Sequence, residues 1–477
     1  MPTQGGRTGK LPGQQQGSFS YYSGYSKQFL PYREKLACGQ VDDVQQLMAV
    51  EEAKARETAK TDADFSDKLR LIGLMERASL ALQTNDADKA IEYCRFSQEL
   101  IEERESESYA SEALSSIGSL FVDFLGAGEY GRYDAPGYEK VLLLDIAAMA
   151  YLLNGDERAF NVARLAIQWQ DNEKEKFEEE LLEASKEEEK NRKTDKSETK
   201  QKSDSLFAAL DLEFSKYDDV ALEVPNAFVN PFGDYVTGMV NEFKSVKIKS
   251  LLSNAHIAYK QALKLNPESK VLQQAVKDTK KKKTASRLIH VVALDGFVPE
   301  KKVLSIPIYR DLDVELPTYE PVASRVATIK VATMKGKVLA TLSPVANVKA
   351  MALRHQKDSL PAIQAMVVAS TIRDIAVVET GNELFHGLGS LVRTITDTAQ
   401  EPDTTSWMSL PSSILAARFY SQKGLKKLKI CSYDNKGKKL AEQAVKLNEG
   451  SRHFVLVRSI DKQMSAYPGK KIWTPKS

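Results

Sequence analysis

The hydrophobic period of this chain changes near residue 287, and that change constrains the fold more than any other feature. Before it, apolar residues recur at helical spacing; after it, they alternate along runs of four to eight residues. The expected fold class is therefore α+β: an N-terminal helical-repeat (tetratricopeptide-like) domain followed by a β-sandwich-like domain with a helical insertion.

Within the helical half, two segments read as hairpins. One runs from Leu74 through the Asn85-Asp86 turn to Ala90, Ile91, Cys94 and Ser97. The other runs from Leu142 to Leu153, turns at Asn154-Gly155-Asp156, and continues through Ala159, Ala163 and Ala166. Small residues such as Ala90 let paired helices approach closely, and Gly155 supplies a sharp reversal. The clearest repeat signature is Ala255, Tyr259, Ala262 and Pro267, spaced four, three and five apart in AHIAYKQALKLNP. The alanines are expected to pack on a first helix, Tyr259 to fill the gap to the next repeat, and Pro267 to stop the helix.

The predicted domain layout follows from composition. Residues 1–28 are rich in Gly, Gln, Ser and Tyr and read as a disordered arm. Residues 29–275 form the helical-repeat domain, interrupted at about 171–205 by a charged linker. Residues 171–204 hold 13 acidic and 9 basic residues and read as a charged, solvated helix or a flexible tether, with Phe177, Leu181 and Leu182 carrying a helix into them. Lys277 to Arg287, with six basic residues and one acidic, reads as a solvated helix end before the boundary.

Residues 285–465 are the expected β domain. Candidate strands are Arg287–Leu294, Val303–Tyr309, Val326–Met334, Lys337–Leu342, Asn347–Leu353, Ile414–Tyr420, Lys426–Tyr433, Lys438–Leu447 and His453–Ile460, with hairpin turns at Lys335-Gly336 and Asp434–Gly437. Pro307, Pro317 and Pro321 suit edge strands. A helical insertion occupies about 359–400, and 466–477 is a tail.

Motifs for chemistry are sparse. Gly5 to Lys10 lacks the first Gly and the final Ser/Thr of a phosphate loop, and Gly387-Leu388-Gly389 is a lone pair of glycines. The five histidines show no metal-binding spacing, and the three cysteines (Cys38, Cys94, Cys431) no zinc or redox spacing. His290 reads as a core or edge residue of a strand. Asp311, Asp313 and Glu315 share one strand face, which reads as solvated. Trp407 with Asp403 is a candidate contact pair in a polar loop. The competing expectation is that Trp407 folds back to cap the core while Asp403 and Thr404 bond nearby backbone N–H groups. No catalytic residue, metal ligand or cofactor site is named, and no cofactor is expected. The 67 basic and 65 acidic residues leave a net charge of +2, which argues against a nucleic-acid binder. Leu36-Ala37-Cys38-Gly39 looks like a lipidation box, but no apolar stretch leads into it, so it reads as a helix–turn junction.

Several stretches resemble uncharacterised bacterial envelope lipoproteins with tetratricopeptide-like repeats and a C-terminal β domain. They are Gly137–Leu143, Gly155-Asp156, Asn226–Phe232, Gly296–Pro299, and Asp403–Trp407 with Leu410-Pro411, in order across about 25–460. Thr405 stands where that family usually has Arg. The resemblance implies a periplasmic or outer-membrane-associated location and membrane association through a lipid anchor that this chain does not carry; a cytoplasmic location is the alternative. It offers no catalytic residues.

The function expected from these readings is a non-enzymatic scaffold or adaptor that presents a concave helical surface to a protein partner. The alternatives are a structural subunit of a large, self-assembling envelope complex, or an enzyme with a site at the junction of the halves using His386 or the Asp311–Glu315 face.

Overall fold

The computed structural model describes residues 25–110, 133–194, 207–228, 230–281, 287–309, 312–361, 363–364, 404–422 and 424–472. Outside them lie most of the N-terminal arm, the Gly5–Lys10 loop, residues 195–206 of the charged stretch, most of the helical insertion, Asp311, His386, Gly387–Gly389 and Asp403.

The chain is mixed α and β, helical first and sheet-forming last. Its helices are α1 (Tyr25–Ala37), α2 (Val41–Thr58), α3 (Asp62–Gln83), α4 (Ala87–Ala110), α5 (Gly137–Asn154), α6 (Ala159–Thr194), α7 (Asp218–Ala221), α8 (Pro231–Lys244), α9 (Leu251–Leu265), α10 (Lys270–Lys280) and α11 (Val348–Asp358). Residues 207–215 are also helical. Helices α3 and α4, α5 and α6, and α8 and α9 pack as three hairpins, with α4 against α5 and α6 against α8 joining them into a row.

The turns explain the pairing. Asn85 at φ +65° and Gly155 at φ +69° close the first two hairpins in left-handed conformation. The N–H of Asp86 donates to the Ala81 carbonyl (2.8 Å) and that of Asp156 to the Tyr151 carbonyl (2.9 Å). Gly155 has a second reason to lack a side chain: a Cβ there would stand 2.8 Å from the Lys471 carbonyl oxygen. In the third hairpin, Ala255, Ala258, Tyr259 and Ala262 form one buried face of α9. The Tyr259 ring lies where a Cβ on Gly238 of α8 would be, 2.4 Å from the nearest ring carbon. Asn230 caps α8, its side chain accepting from the Phe232 N–H at 2.9 Å, and Pro231 takes the first turn, where its missing N–H costs nothing.

The strands are β1 (Leu288–Asp295), β2 (Glu300–Tyr309), β3 (Leu312–Glu320), β4 (Thr328–Ala332), β5 (Val338–Thr341), β6 (Ser343–Ala346), β7 (Ser413–Tyr420), β8 (Lys427–Tyr433), β9 (Lys439–Lys446), β10 (Arg452–Ile460) and β11 (Gln463–Pro468). They form a five-stranded sheet β11-β10-β1-β7-β6, a four-stranded sheet β5-β4-β8-β9 and the β2–β3 ribbon. In the larger sheet β1 runs parallel to β10 and antiparallel to β7.

Strand alternation divides that sheet between two cores. Leu288, Val292, Leu294, Ile414, Ala416, Phe454, Leu456 and Ile460 join the helices. Their neighbours Ile289, Val291, Ala293, Ala417, Val455 and Val457 join Ile329, Val331, Leu428, Ile430 and Val445 of the four-stranded sheet. The order of layers is thus outer helices (α4, α6, α9), inner helices (α3, α5, α8), the five-stranded sheet and the four-stranded sheet. Helix α5 is buried almost throughout, from Tyr138 to Leu153, which accounts for its all-round apolar sequence.

Four expectations need correction. Residues 171–194 are the charged helix and not a flexible tether that interrupts the domain: α6 continues to Thr194, favoured by Glu and Lys content and pinned where Phe177 meets Phe228 at 5.2 Å. Asn347–Leu353 is not a strand. Asn347 caps α11 by accepting from the Ala350 N–H (3.1 Å), and Val348, Met351, Ala352 and His355 fit a helical face. The segment from 466 is not a tail, because β11 reaches Pro468, the Lys470 N–H donates to the Leu153 carbonyl (2.8 Å) and Ile472 is buried. Nor does 29–275 hold a core of its own: one apolar cluster runs from Phe29 to Ile472, and only the β half keeps a second core, between its two sheets.

Candidate functional site: the polar seam between helices and sheet

The junction of helices and sheet carries a line of buried charges. Arg418 on β7 stands opposite His290 of β1 and points to the helices. Its Nε donates to Glu242 Oε2 (2.9 Å), its Nη2 to Glu242 Oε1 (2.5 Å) and Tyr420 Oη (2.6 Å), and its Nη1 to Asp278 Oδ2 (2.8 Å). Tyr259 Oη also donates to Glu242 Oε2 (2.9 Å), and Tyr235 Oη meets His290 Nδ1 at 2.8 Å. Glu242 is only 3% exposed. Burial alone would raise its pKa, but the bonds and charge of Arg418 hold the carboxyl well below the usual carboxylate range. Burial pushes His290 down to about 4, against the pull of Glu242, so the imidazole is neutral at pH 7.

A second knot ties α1 and α3 to the segment before β7. Glu76 accepts backbone N–H bonds from Met408 (2.6 Å) and Ser409 (2.9 Å). Gln83 Nε2 donates to the Ser409 carbonyl (2.8 Å), and its Oε1 accepts from Arg458 Nε (2.5 Å). Arg33 pairs with Glu300. The guanidinium carbons of Arg33 and Arg458 lie 4.5 and 4.6 Å from the Phe297 ring centroid.

Between the knots lie buried carboxyls of opposite character to Glu242. Burial pushes Glu139 up to about 7 despite bonds from Tyr133 (2.5 Å), Tyr138 (3.1 Å) and the Trp407 backbone. Asp234 is likewise pushed up to about 7, by burial and then by the charge of Asp171. Asp145 accepts from Asn230 Nδ2 (2.8 Å) and is raised well above its ordinary value by burial and Asp234.

Arg418, Glu242, Tyr259 and Asp278 bond one another, while Asp145 Oδ1, Asp234 Oδ2 and His290 Nε2 are buried without a hydrogen-bond partner. Two clefts open nearby. One is lined by Arg33, Phe297, Ser324, Ser412 and Asp461, and the other by Tyr138, Glu173, Phe177, Phe228 and His355. Among the described residues no group of three or more His, Cys, Asp or Glu is placed to hold a metal ion, and no helix is long and apolar enough to cross a membrane.

The residues singled out in the sequence sit as follows. Ala90, Ala255, Tyr259 and Ala262 are buried between helices, and Gly155 turns α5 into α6. Pro267 follows the α9 cap, its carbonyl accepting from Gln273 Nε2 (2.7 Å). Of the two readings of Trp407 the core-capping one holds and the surface contact does not: it is 0% exposed, with Nε1 bonded to Ser409 Oγ (3.1 Å), and it joins the core beside Glu76 and Glu139. Asp403, its expected companion, lies outside the described residues. Glu76, Glu242, Asp278 and Arg418 were not singled out. Only Arg418 carried a signal, an isolated charge inside the apolar run SILAARFY. Compared with family models, with curated proteins and with solved structures, the chain matches none.

Proposed function

We propose that this protein is a non-enzymatic scaffold of the bacterial cell envelope, built from tetratricopeptide-like hairpins laid on a β-sandwich-like domain, and that it holds a protein partner. The observation that carries this reading is the row of three hairpins stacked in chain order. Repeats of this kind bind by shape and by a few anchoring side chains.

The expected concave helical surface needs relocation. The inner helices α3, α5 and α8 face the chain's own five-stranded sheet, so that surface is filled. The partner surface is then the outer wall of α4, α6 and α9, where Ile257 of α9 stands 66% exposed and Leu182 of α6 is also exposed. The envelope location rests on the resemblance of Gly137–Leu143, Asn226–Phe232 and Gly296–Pro299 to envelope lipoproteins.

The test is site-specific photo-crosslinking from positions 182 and 257 in native cell envelopes, with Ile257→Arg introduced into the chain that carries the crosslinker at 182 as control. One defined cross-linked band, lost in the Ile257→Arg protein at unchanged melting temperature, supports the reading. A band containing only this chain makes it a self-assembling subunit. No band from positions 182 and 257 contradicts the outer-wall surface.

A further inference from the structure

The near-zero net charge hides a strong segregation. Residues 328–341 and 426–446, which build the four-stranded sheet and its turns, contain ten lysines, no arginine and two acidic residues. The inward side of this sheet is apolar and packs on the larger sheet. The lysines are therefore concentrated on its outward side and at its turns.

The two acids do not balance them. Asp434 is occupied in its own turn, accepting from the Lys436 and Lys438 N–H groups at 2.9 and 2.8 Å. Glu442 takes Lys429 (2.8 Å) and Lys439 (2.7 Å). Lys427 and Lys446 stand directly opposite one another across β8 and β9, and both are exposed. Opposed like charges destabilise a strand pair, so folding alone gives no reason for them.

The sheet register brings a third feature to the same end. Ala332 of β4 pairs with Lys429, so the turn after β4 projects beyond the sheet on the side of Lys427 and Lys446. That turn reads Met334-Lys335-Gly336-Lys337-Val338, with Gly336 at φ +88°. Met334 is 46% and Val338 50% exposed, one on each side of the two lysines.

We infer that this end of the four-stranded sheet docks on an anionic lipid bilayer, with Lys335, Lys337, Lys426, Lys427 and Lys446 in the headgroup layer and Met334 and Val338 reaching the acyl boundary. Lysine is a compact point charge without the fork geometry that reads one phosphate or base edge, so a lysine-only face suits a diffuse layer of headgroups. The apolar flanks favour a membrane over a nucleic-acid duplex, which offers them no apolar layer to enter. This surface lies on the opposite side of the molecule from the outer helices and is independent of the partner proposed there.

The experiment is flotation of the full chain with phosphatidylcholine vesicles, with and without a third of phosphatidylglycerol, at low and high salt. Binding is expected only with the anionic lipid and is expected to weaken with salt. Each lysine removed should lower partitioning roughly fivefold, so Lys427→Gln with Lys446→Gln should bind roughly 25-fold less. Met334→Ser with Val338→Ser should also bind severalfold less, and both variants should melt as the parent does. Equal binding to neutral vesicles, no binding to anionic ones, or variants that bind like the parent would overturn the inference. A short DNA duplex that binds the parent while anionic vesicles do not would overturn it as well.

Discussion

Arg418 of β7 and Glu242 of α8 share a two-pronged ion pair, bonded at 2.9 and 2.5 Å, at the boundary where helices meet sheet. They are 176 residues apart in sequence, and both are buried. Neither half can withdraw from the other without leaving a charge in an apolar layer.

The first prediction follows from that cost. Arg418→Met should destabilise the chain by roughly 3–5 kcal/mol in denaturant unfolding, because Glu242 and Asp278 lose their shared cation. Arg418→Met combined with Glu242→Leu should recover part of that loss, since no unpaired Glu242 charge then remains. Glu242 also has a sign in pH: its folded pKa is depressed, so its contribution is present above the unfolded value near about 4 and is lost on further acidification.

Asp234 and Glu139 behave oppositely. Both are pushed up to about 7, so the folded state binds more protons than the unfolded one between pH about 4 and 7. Their contribution is complete below the unfolded pKa and is lost as pH rises through 7. His290 and His355, pushed down to about 4 and about 3, lose stability in the other direction as pH falls below about 6.5. Asp234→Asn should therefore reduce the stability lost between pH 5 and pH 8, by up to about 2.5 kcal/mol. Chemical denaturation across that range measures it; an unchanged pH slope would contradict the raised carboxyl.

The third hairpin can be tested by volume. Gly238→Ala puts a methyl into the Tyr259 ring and should cost roughly 1–3 kcal/mol or more. Gly238→Ala with Tyr259→Leu should cost less than the two changes summed. Additive losses in a double-mutant cycle would show that the two residues do not touch.

Glu76→Ala should free the Met408 and Ser409 N–H groups, costing roughly 1.5–3 kcal/mol for each bond to the charged carboxylate. Trp407, now enclosed, should then shift its fluorescence to the red and become accessible to acrylamide. Its signal is isolated by replacing Trp169 and Trp473 with Phe.

Much of the layering was legible in advance. The period of two located β1, β7, β8, β9 and β10, and the spacing of Ala255, Tyr259 and Ala262 described one buried face of α9. Three things escaped, each for a physical reason. Val348–His355 satisfies both a strand and a helix pattern over so short a run, and the Asn347 cap decides it. The charged half of α6 has little apolar signal, yet Glu and Lys favour helix and a single Phe177 anchors it. The seam was hidden because its members are far apart in sequence, and a lone Arg in SILAARFY reads as noise until Glu242 and Asp278 stand beside it. Trp407 follows the core-capping reading of its sequence: its loop is polar, and Glu76 and Glu139 hold that loop against the core.

The central claim is that helices and sheet form one cooperative body closed by the Arg418 knot. Hydrogen exchange read by mass spectrometry on the parent and Arg418→Met tests it most directly. The account predicts that peptides from α8, on one side of the knot, and from β1 and β10, on the other, open together in the parent and lose protection together in the variant. Sheet peptides that lose protection while α8 keeps its own would contradict it.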